Sequence, residues 1–442
     1  MLSAIELNGG DTAWVLASAA LVLLMTPGLA FFYGGMVRAK SVINMMLMSL
    51  ITIGIVSVLW VAYGYSFTFG DSGSAWFGSF ELSGLGGLVD AVPNNGGEYP
   101  IPLLAFVAFQ LMFAIITPAL ISGAIADRTK FVSWGIFVAI WVTVVYFPVA
   151  HWVFDFGTLE NDTITGAGYL AGQGVLDFAG GTAVHINAGA AALALALILG
   201  KRVGFKKDPM RPHSIPLVVL GAGLLWFGWF GFNAGSALGA NATAALAFLN
   251  TQVATAAAVG GWLVVEKLRD GHMTGLGAAS GAVAGLVAIT PACAFVAPWA
   301  AVALGFIAGS LCALAVGLKY KFGYDDSLDV VGVHLVGGLW GTVAIGLFAT
   351  KAVNGLGADG IFYGGGTELL VKQVTGALLV MAYSFVVTAI IGLAIHKTIG
   401  FRIARDAEVE GIDLTEHAES AYELDTRTGT GSFGLLSSRQ EA

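Results

Sequence analysis

Apolar residues come in long runs along this chain rather than at alternating positions. Windows 12–36, 42–69, 101–126, 131–154, 178–200, 215–237, 243–265, 274–291, 299–318, 328–349 and 370–396 are each predominantly apolar. Each is close to or above the roughly 20 residues a helix needs to cross a bilayer. Polar and charged positions collect between the runs and after residue 397. The pattern predicts an all-α integral membrane protein with eleven transmembrane helices. Strands of an outer-membrane barrel would alternate apolar and polar residues, and these runs do not.

Composition agrees with this reading. Hydrophobic residues make up 57% of the 442 and charged residues 11%, against about 25% charged in soluble domains. The 62 glycines also fit, because glycine is commoner in membrane helices. A net charge of -8 is no footprint for nucleic acid, and no such partner is expected. Residues 1–12 hold no cationic segment and no cleavage site, so no signal peptide is expected.

Basic residues set the orientation. With the N-terminus outside, the inner loops hold Arg38, Lys40, Arg128, Lys130, the group from Lys201 to Arg211, Lys267, Arg269, Lys319 and Lys321. The C-terminal stretch adds Lys397, Arg402, Arg405, Arg427 and Arg439, which leaves only Lys351 and Lys372 outside. The expected topology is therefore N-out and C-in, as a multi-pass protein of the cell's inner (plasma) membrane. Residues 1–396 form the transmembrane domain. Residues 397–442 form a cytoplasmic regulatory tail, with a short ordered segment over 408–423 and disorder expected from Asp425.

The fifth run contains Val184-His185 followed by Gly189, and the tenth contains Val333-His334 followed by Gly338. Each lies just after an acidic residue, Asp177 or Asp329. Two five-helix halves must insert with opposite orientation, so the match predicts two inverted five-helix repeats plus a final helix. A histidine at membrane depth is costly and marks a functional site unless it only bonds helices together. Two at equivalent repeat positions favour function. His151 sits at the outer end of its helix and reads as a water-accessible structural residue.

A second group is aromatic: Phe109 and Phe113 one turn apart, then Trp226, Trp229, Phe232 and Ser236 on the sixth run. Ring faces attract a compact cation, and a serine hydroxyl can accept from an ammonium proton. Packing or an interfacial belt is the alternative for any single ring. Asp177 reads as an N-cap that also shapes the outer mouth. Cys293 and Cys312 lack metal-ligand spacing and read as buried thiols; no metal or cofactor is expected. Gly355-Leu-Gly357-Ala-Asp-Gly360 matches a dinucleotide fingerprint by letters, but it follows a membrane helix and not a strand. No Walker A motif, metalloprotease motif or nucleophile elbow is present, which argues against an enzyme and against an ATP-driven pump.

Several long motifs together resemble the ammonium transporter family (Amt/Mep/Rh), in its prokaryotic Amt branch. They are Phe31-Phe-Tyr33-Gly-Gly, Asp177 through His185-Ile-Asn, Gly228-Trp229 through Ser236, Thr290-Pro-Ala-Cys293, and Asp325-Asp326 through His334. The resemblance spans about residues 14–422. It implies a homotrimer with one pore per subunit. It implies an outer recruitment site at Phe113, Phe154 and Ser236, with Phe154 where this branch usually has Trp. It places Phe109 and Phe232 as the ring pair gating the pore, His185 and His334 as twin histidines, and Asp177, Trp229 and Tyr33 as supporting residues. The segment from Glu410 to Tyr422 resembles a family tail linked to gating and to a PII-type signalling protein, with Ala418 in place of the usual Gly.

The expected mechanism follows. Ammonium binds outside, loses its proton near the ring constriction, and crosses as ammonia past the imidazoles, with a separate route for the proton. A membrane cytochrome with two axial histidines and a sensor that barely transports are the alternatives.

Overall fold

The computed structural model describes residues 6–71, 73–97, 99–160 and 163–422. The expected disorder from Asp425 concerns residues outside that range. Among the described residues, ten helices are long and apolar enough to cross a membrane. They are α1 (Gly9–Met36), α2 (Val42–Phe69), α3 (Leu103–Ile125), α4 (Phe131–Phe154), α5 (Gly181–Leu199), α6 (Ile215–Gly235), α7 (Ala242–Asp270), α9 (Pro298–Phe322), α10 (Val331–Phe348) and α11 (Glu368–Thr398). Between α7 and α9 lies α8 (Gly275–Ile289), an apolar helix of 15 residues. At 1.5 Å per residue it is about 22 Å long, short of a roughly 30 Å hydrocarbon core. Each helix falls on one of the apolar runs.

Local signals set the helix starts. Asn8 accepts from the backbone N–H of Gly10 and Asp11 at 2.9 and 3.0 Å, capping α1. Asn241 and Thr274 cap α7 and α8 in the same way, satisfying N–H groups that the first turn leaves unpaired. α1 packs along α6, α7 along α8 and α9, and α5 along α11. Glycines set the closeness of these contacts: a Cβ on Gly221 would stand 2.2 Å from the Phe32 amide nitrogen. Large apolar side chains such as Val58, Phe227 and Ile390 point outward, where a bilayer would solvate them.

One end of the bundle gathers the basic loops. Arg202 bridges Asp127 at 3.0 Å and Asp325 at 2.9 Å, and Arg38 reaches Asp127 at 3.5 Å. The buried Arg128 donates to Ser327 Oγ and to the Asp325 carbonyl, both at 2.6 Å. The C-terminal segment folds back over this end as two short helices, α12 (Arg405–Glu410) and α13 (Ile412–His417). Asp413 accepts from the Ile43 and Asn44 backbone N–H groups and so caps α2 from the far end of the chain. The opposite end carries a small antiparallel hairpin, β1 (Thr158–Glu160) and β2 (Thr163–Thr165), with Leu159 opposite Ile164.

Candidate functional site

α5 and α10 both open in π-helical turns, Gly181–Ile186 and Val331–Leu335, and each turn carries a histidine. Such widened turns are rare and gather at functional sites. A carboxylate caps each start. Asp177 accepts from the backbone N–H of Gly180, Gly181 and Thr182, all at 2.7 Å, and from the Thr182 hydroxyl. Gly180 lies at φ +117, a conformation that favours glycine. On α10 the cap is Asp326, which accepts from Val330 and Val331 N–H at 3.1 and 2.8 Å. Asp326 precedes His334 by the same eight residues that separate Asp177 from His185. This corrects the pairing of Asp177 with Asp329. Asp329 sits at φ +65 and instead accepts from Lys319 Nζ at 2.6 Å.

Glycine brings the two histidine helices together. A Cβ on Gly189 would lie 2.5 Å from the Leu335 amide nitrogen, and one on Gly338 would lie 3.2 Å from the His185 Cβ. The backbones therefore cross beside the two rings, and the Nδ1 atoms of His185 and His334 sit 3.2 Å apart. One donates and the other accepts if both rings are neutral. Both side chains are buried, and His185 Nε2 has no hydrogen-bond partner among the described residues. The Trp229 ring lies nearly parallel to His185 at 5.4 Å and anchors its own N–H on Thr290 Oγ1 at 2.8 Å. Beside the imidazoles is a cavity of about 10 Å³, lined otherwise by apolar side chains including Leu120, Val184, Trp229 and Phe232. That is about the space of one water-sized molecule.

A second cavity of about 60 Å³ brings together Phe109, Phe113, Phe154 and Ser236. The Ser236 hydroxyl donates to the Phe232 carbonyl at 2.9 Å, which leaves its lone pairs to accept from a solute. Phe113 meets Phe232 at 4.2 Å between centroids and Phe154 at 6.4 Å. This corrects the pairing of Phe109 with Phe232. α3 and α6 run antiparallel, so Phe113, one turn deeper than Phe109, is level with Phe232. Phe109 is level with the Ser236 end, where its ring packs over Gly235. Phe113 thus separates the two cavities, and Phe109 belongs to the wider one.

The wider cavity also takes Phe106 and Gln110 from α3, and Asn95 and Tyr99 from the preceding connection. Helical spacing from Phe109 and Phe113 could have flagged Phe106 and Gln110, each three residues earlier. No periodic signal points to Asn95 or Tyr99. Asp177 and Tyr33 line neither cavity. Tyr33 ties α1 to α3 by donating to the Leu120 carbonyl at 3.0 Å. His151 is buried and not water-accessible. Residues 73–76 fold over it, and its ring nitrogens contact the Thr68 and Ser74 carbonyls at 2.8 and 2.7 Å and Asp155 at 3.1 Å. Cys293 and Cys312 are both buried and free.

These features define a class: a polytopic helical membrane protein with a paired polar centre in an apolar core. The chain belongs to the Ammonium Transporter Family, whose model matches residues 13–422. An ammonium transporter of Mycobacterium tuberculosis (strain H37Rv) is 55% identical, covering 96% of this chain and 92% of that one. An ammonium transporter of Bacillus subtilis is 46% identical over 94% of this chain and 98% of its own. Among solved structures, Saccharomyces cerevisiae Mep2 superposes with a TM-score of 0.83 at 34% identity, covering 91% of this chain and 89% of that one. A structure titled "Sensor Amt Protein" also gives 0.83, at 30% identity, over 92% of this chain and 98% of that one.

Proposed function

We propose that this protein conducts ammonium nitrogen across the membrane as ammonia, one molecule at a time, past His185 and His334. The observation that carries the reading is the apolar cavity of about 10 Å³ at the paired imidazoles, beneath the Phe113–Phe232 contact. A bare cation there would lose its hydration with no counter-charge. Ammonium can shed a proton and continue as a neutral solute; K⁺ and Na⁺ cannot.

Phe109, Phe113, Phe154 and Ser236 hold the ammonium before that step. The rings supply cation–π attraction, worth about 2 kcal/mol when desolvated, and Ser236 accepts one N–H. Phe113 over Phe232 is the barrier. The hydrogen-bonded imidazoles offer one donor and one acceptor to the neutral solute and a separate route for the proton. Asp177, Trp229 and Tyr33 support this arrangement by holding its helices and rings.

All eleven helices span the bilayer, α8 completing its depth with the buried turn that follows it. The N-terminus is outside, and the basic end, including the tail, faces the cytoplasm. α1–α5 and α6–α10 are inverted repeats, a reading supported by the equivalent caps Asp177 and Asp326. The protein works in the inner membrane as a homotrimer. Its tail is regulatory and meets a PII-type protein at the cytoplasmic face.

The test is charge movement by proteoliposomes on a solid-supported membrane given ammonium, methylammonium and K⁺ pulses. Current for ammonium and none for K⁺ is expected. If current is absent, an internal pH dye reports neutral ammonia entry in the same vesicles. Silence in both would overturn conduction and leave a sensing role.

A further inference from the structure

The basic end carries a second cavity, away from the ring stack. It measures about 450 Å³ and is walled by Lys201, Arg202, Lys207, Arg402 and Arg405, with no carboxylate in its lining. The size is within the range of small-molecule sites. Two of the five cations are already matched. Arg202 bonds Asp325 and Asp127, and Arg402 bonds Glu408 at 2.7 Å. Glu408 is buried beneath the site, where its other oxygen accepts from the Val203 N–H.

The remaining three, Lys201, Lys207 and Arg405, are exposed and have no acidic partner among the described residues. Lys206 adds to the surplus: its ammonium and that of Lys201 both lie within about 4 Å of where a Gly323 Cβ would stand. Asp208, packed over Gly204 at the edge, is an acid that could partly offset them. Like charges held this close repel, and a multiply charged anion between them removes the repulsion.

We propose that this cavity binds a phosphate-bearing anion. A phosphomonoester or diphosphate carries about two or more negative charges at neutral pH, which suits three unmatched cations. The free guanidinium of Arg405 presents the planar fork that fits phosphate oxygens. The walls come from two parts of the chain: the connection after α5 supplies Lys201 and Lys207, and the C-terminal segment supplies Arg405. A bound phosphate joins the two and holds the base of the tail against the membrane domain. A lipid headgroup and a soluble phosphate share this chemistry.

The experiment uses the full chain in neutral detergent, titrated calorimetrically with inorganic pyrophosphate and, separately, with short-chain phosphatidic acid, whose headgroup is a phosphomonoester. Short-chain phosphatidylcholine is the control without net charge. One saturable equivalent per chain is expected for at least one anionic probe, weakening as salt is raised. The triple variant Lys201→Gln/Lys207→Gln/Arg405→Gln should bind at least about tenfold more weakly. Saturation by phosphatidic acid alone assigns a lipid headgroup, and saturation by pyrophosphate alone assigns a soluble anion. No saturation by either, or undiminished binding in a triple variant that melts like the parent, overturns the site. If the triple variant does not fold, Arg405→Glu alone takes its place and must weaken binding.

Discussion

Phe113 lies against Phe232, with ring centroids 4.2 Å apart, while Phe109 contacts Phe113 from above at 5.0 Å. The two phenylalanines of α3 therefore differ in kind although they share a helix face. One lies between the two cavities, and the other walls the wider one.

Alanine substitution should separate these roles. Phe113→Ala is expected to open a continuous path between the cavities and to admit K⁺ current. Phe109→Ala should keep K⁺ out and raise the ammonium concentration for half-maximal current by about two- to fivefold, the loss of roughly 0.5–1 kcal/mol of cation–π attraction. Each buried ring also costs about 3–5 kcal/mol of stability when truncated. Currents must therefore be normalised to folded protein. Equal K⁺ exclusion in both variants would refute the assignment.

Phe154 meets Phe113 edge-on at 6.4 Å and shares the cavity with Ser236. Trp has the strongest cation–π face of the aromatic residues. Phe154→Trp should lower the half-saturating ammonium concentration by about two- to fivefold, with little change in maximal current. A rise instead would mean that the larger indole fills the cavity rather than facing it.

Gly189 and Gly338 let α5 and α10 cross at the histidines. In Gly189→Ala the new methyl would stand 2.5 Å from the Leu335 backbone nitrogen, and backbone cannot yield as a side-chain end can. Overpacking of this kind costs about 1–3 kcal/mol. Gly338→Ala meets its nearest atoms at 3.1 Å, a smaller intrusion. Ammonium current should fall steeply in Gly189→Ala and moderately in Gly338→Ala, with thermal stability following the same order. A fully active Gly189→Ala would show that the close crossing is dispensable.

Much of this was legible in the residues. Continuous apolar runs located each helix because lipid and bundle core both exclude charge. The Val-His motif with glycine four residues later marked the crossing for the same reason that it packs there. What failed depended on the third dimension. Which of Phe109 and Phe113 meets Phe232 is decided by the relative depth of two antiparallel helices. Asp329 looked like the partner of Asp177 because it stands nearer His334, yet the cap lies earlier, at Asp326. His151 looked exposed at a helix end because the chain that covers it comes from a different connection.

Asp326 offers a pH test. Burial holds its carboxyl above the usual range. The folded protein thus keeps this proton to a higher pH than the unfolded chain, whose carboxyl titrates near about 3.9. Its favourable contribution is complete below that value and is lost as pH rises through the raised one. Asp326→Asn cannot titrate, so its melting temperature should vary less with pH than the parent's from about pH 4 upward. Parallel pH profiles for the two proteins would remove Asp326 as the titrating group.

Ala418 ends α13 at φ +53, in the left-handed region, where an L side chain costs about 1–2 kcal/mol. Its N–H donates to the Leu414 carbonyl at 3.1 Å and closes the helix that presents Asp413 to α2. Ala418→Gly removes the strain but loosens the undocked tail, which offsets about 0.4–1 kcal/mol of the gain. The net effect should favour docking by up to about 1 kcal/mol, slowing amide hydrogen exchange in 405–418 by up to about fivefold. Asp413→Ala should act in the opposite sense, leaving the Ile43 and Asn44 N–H groups without their acceptor and speeding exchange in the same segment. Slower exchange in both variants would mean that the tail is held by other contacts, such as His417 with Asn44 at 2.9 Å and His213 with Tyr422 at 2.8 Å.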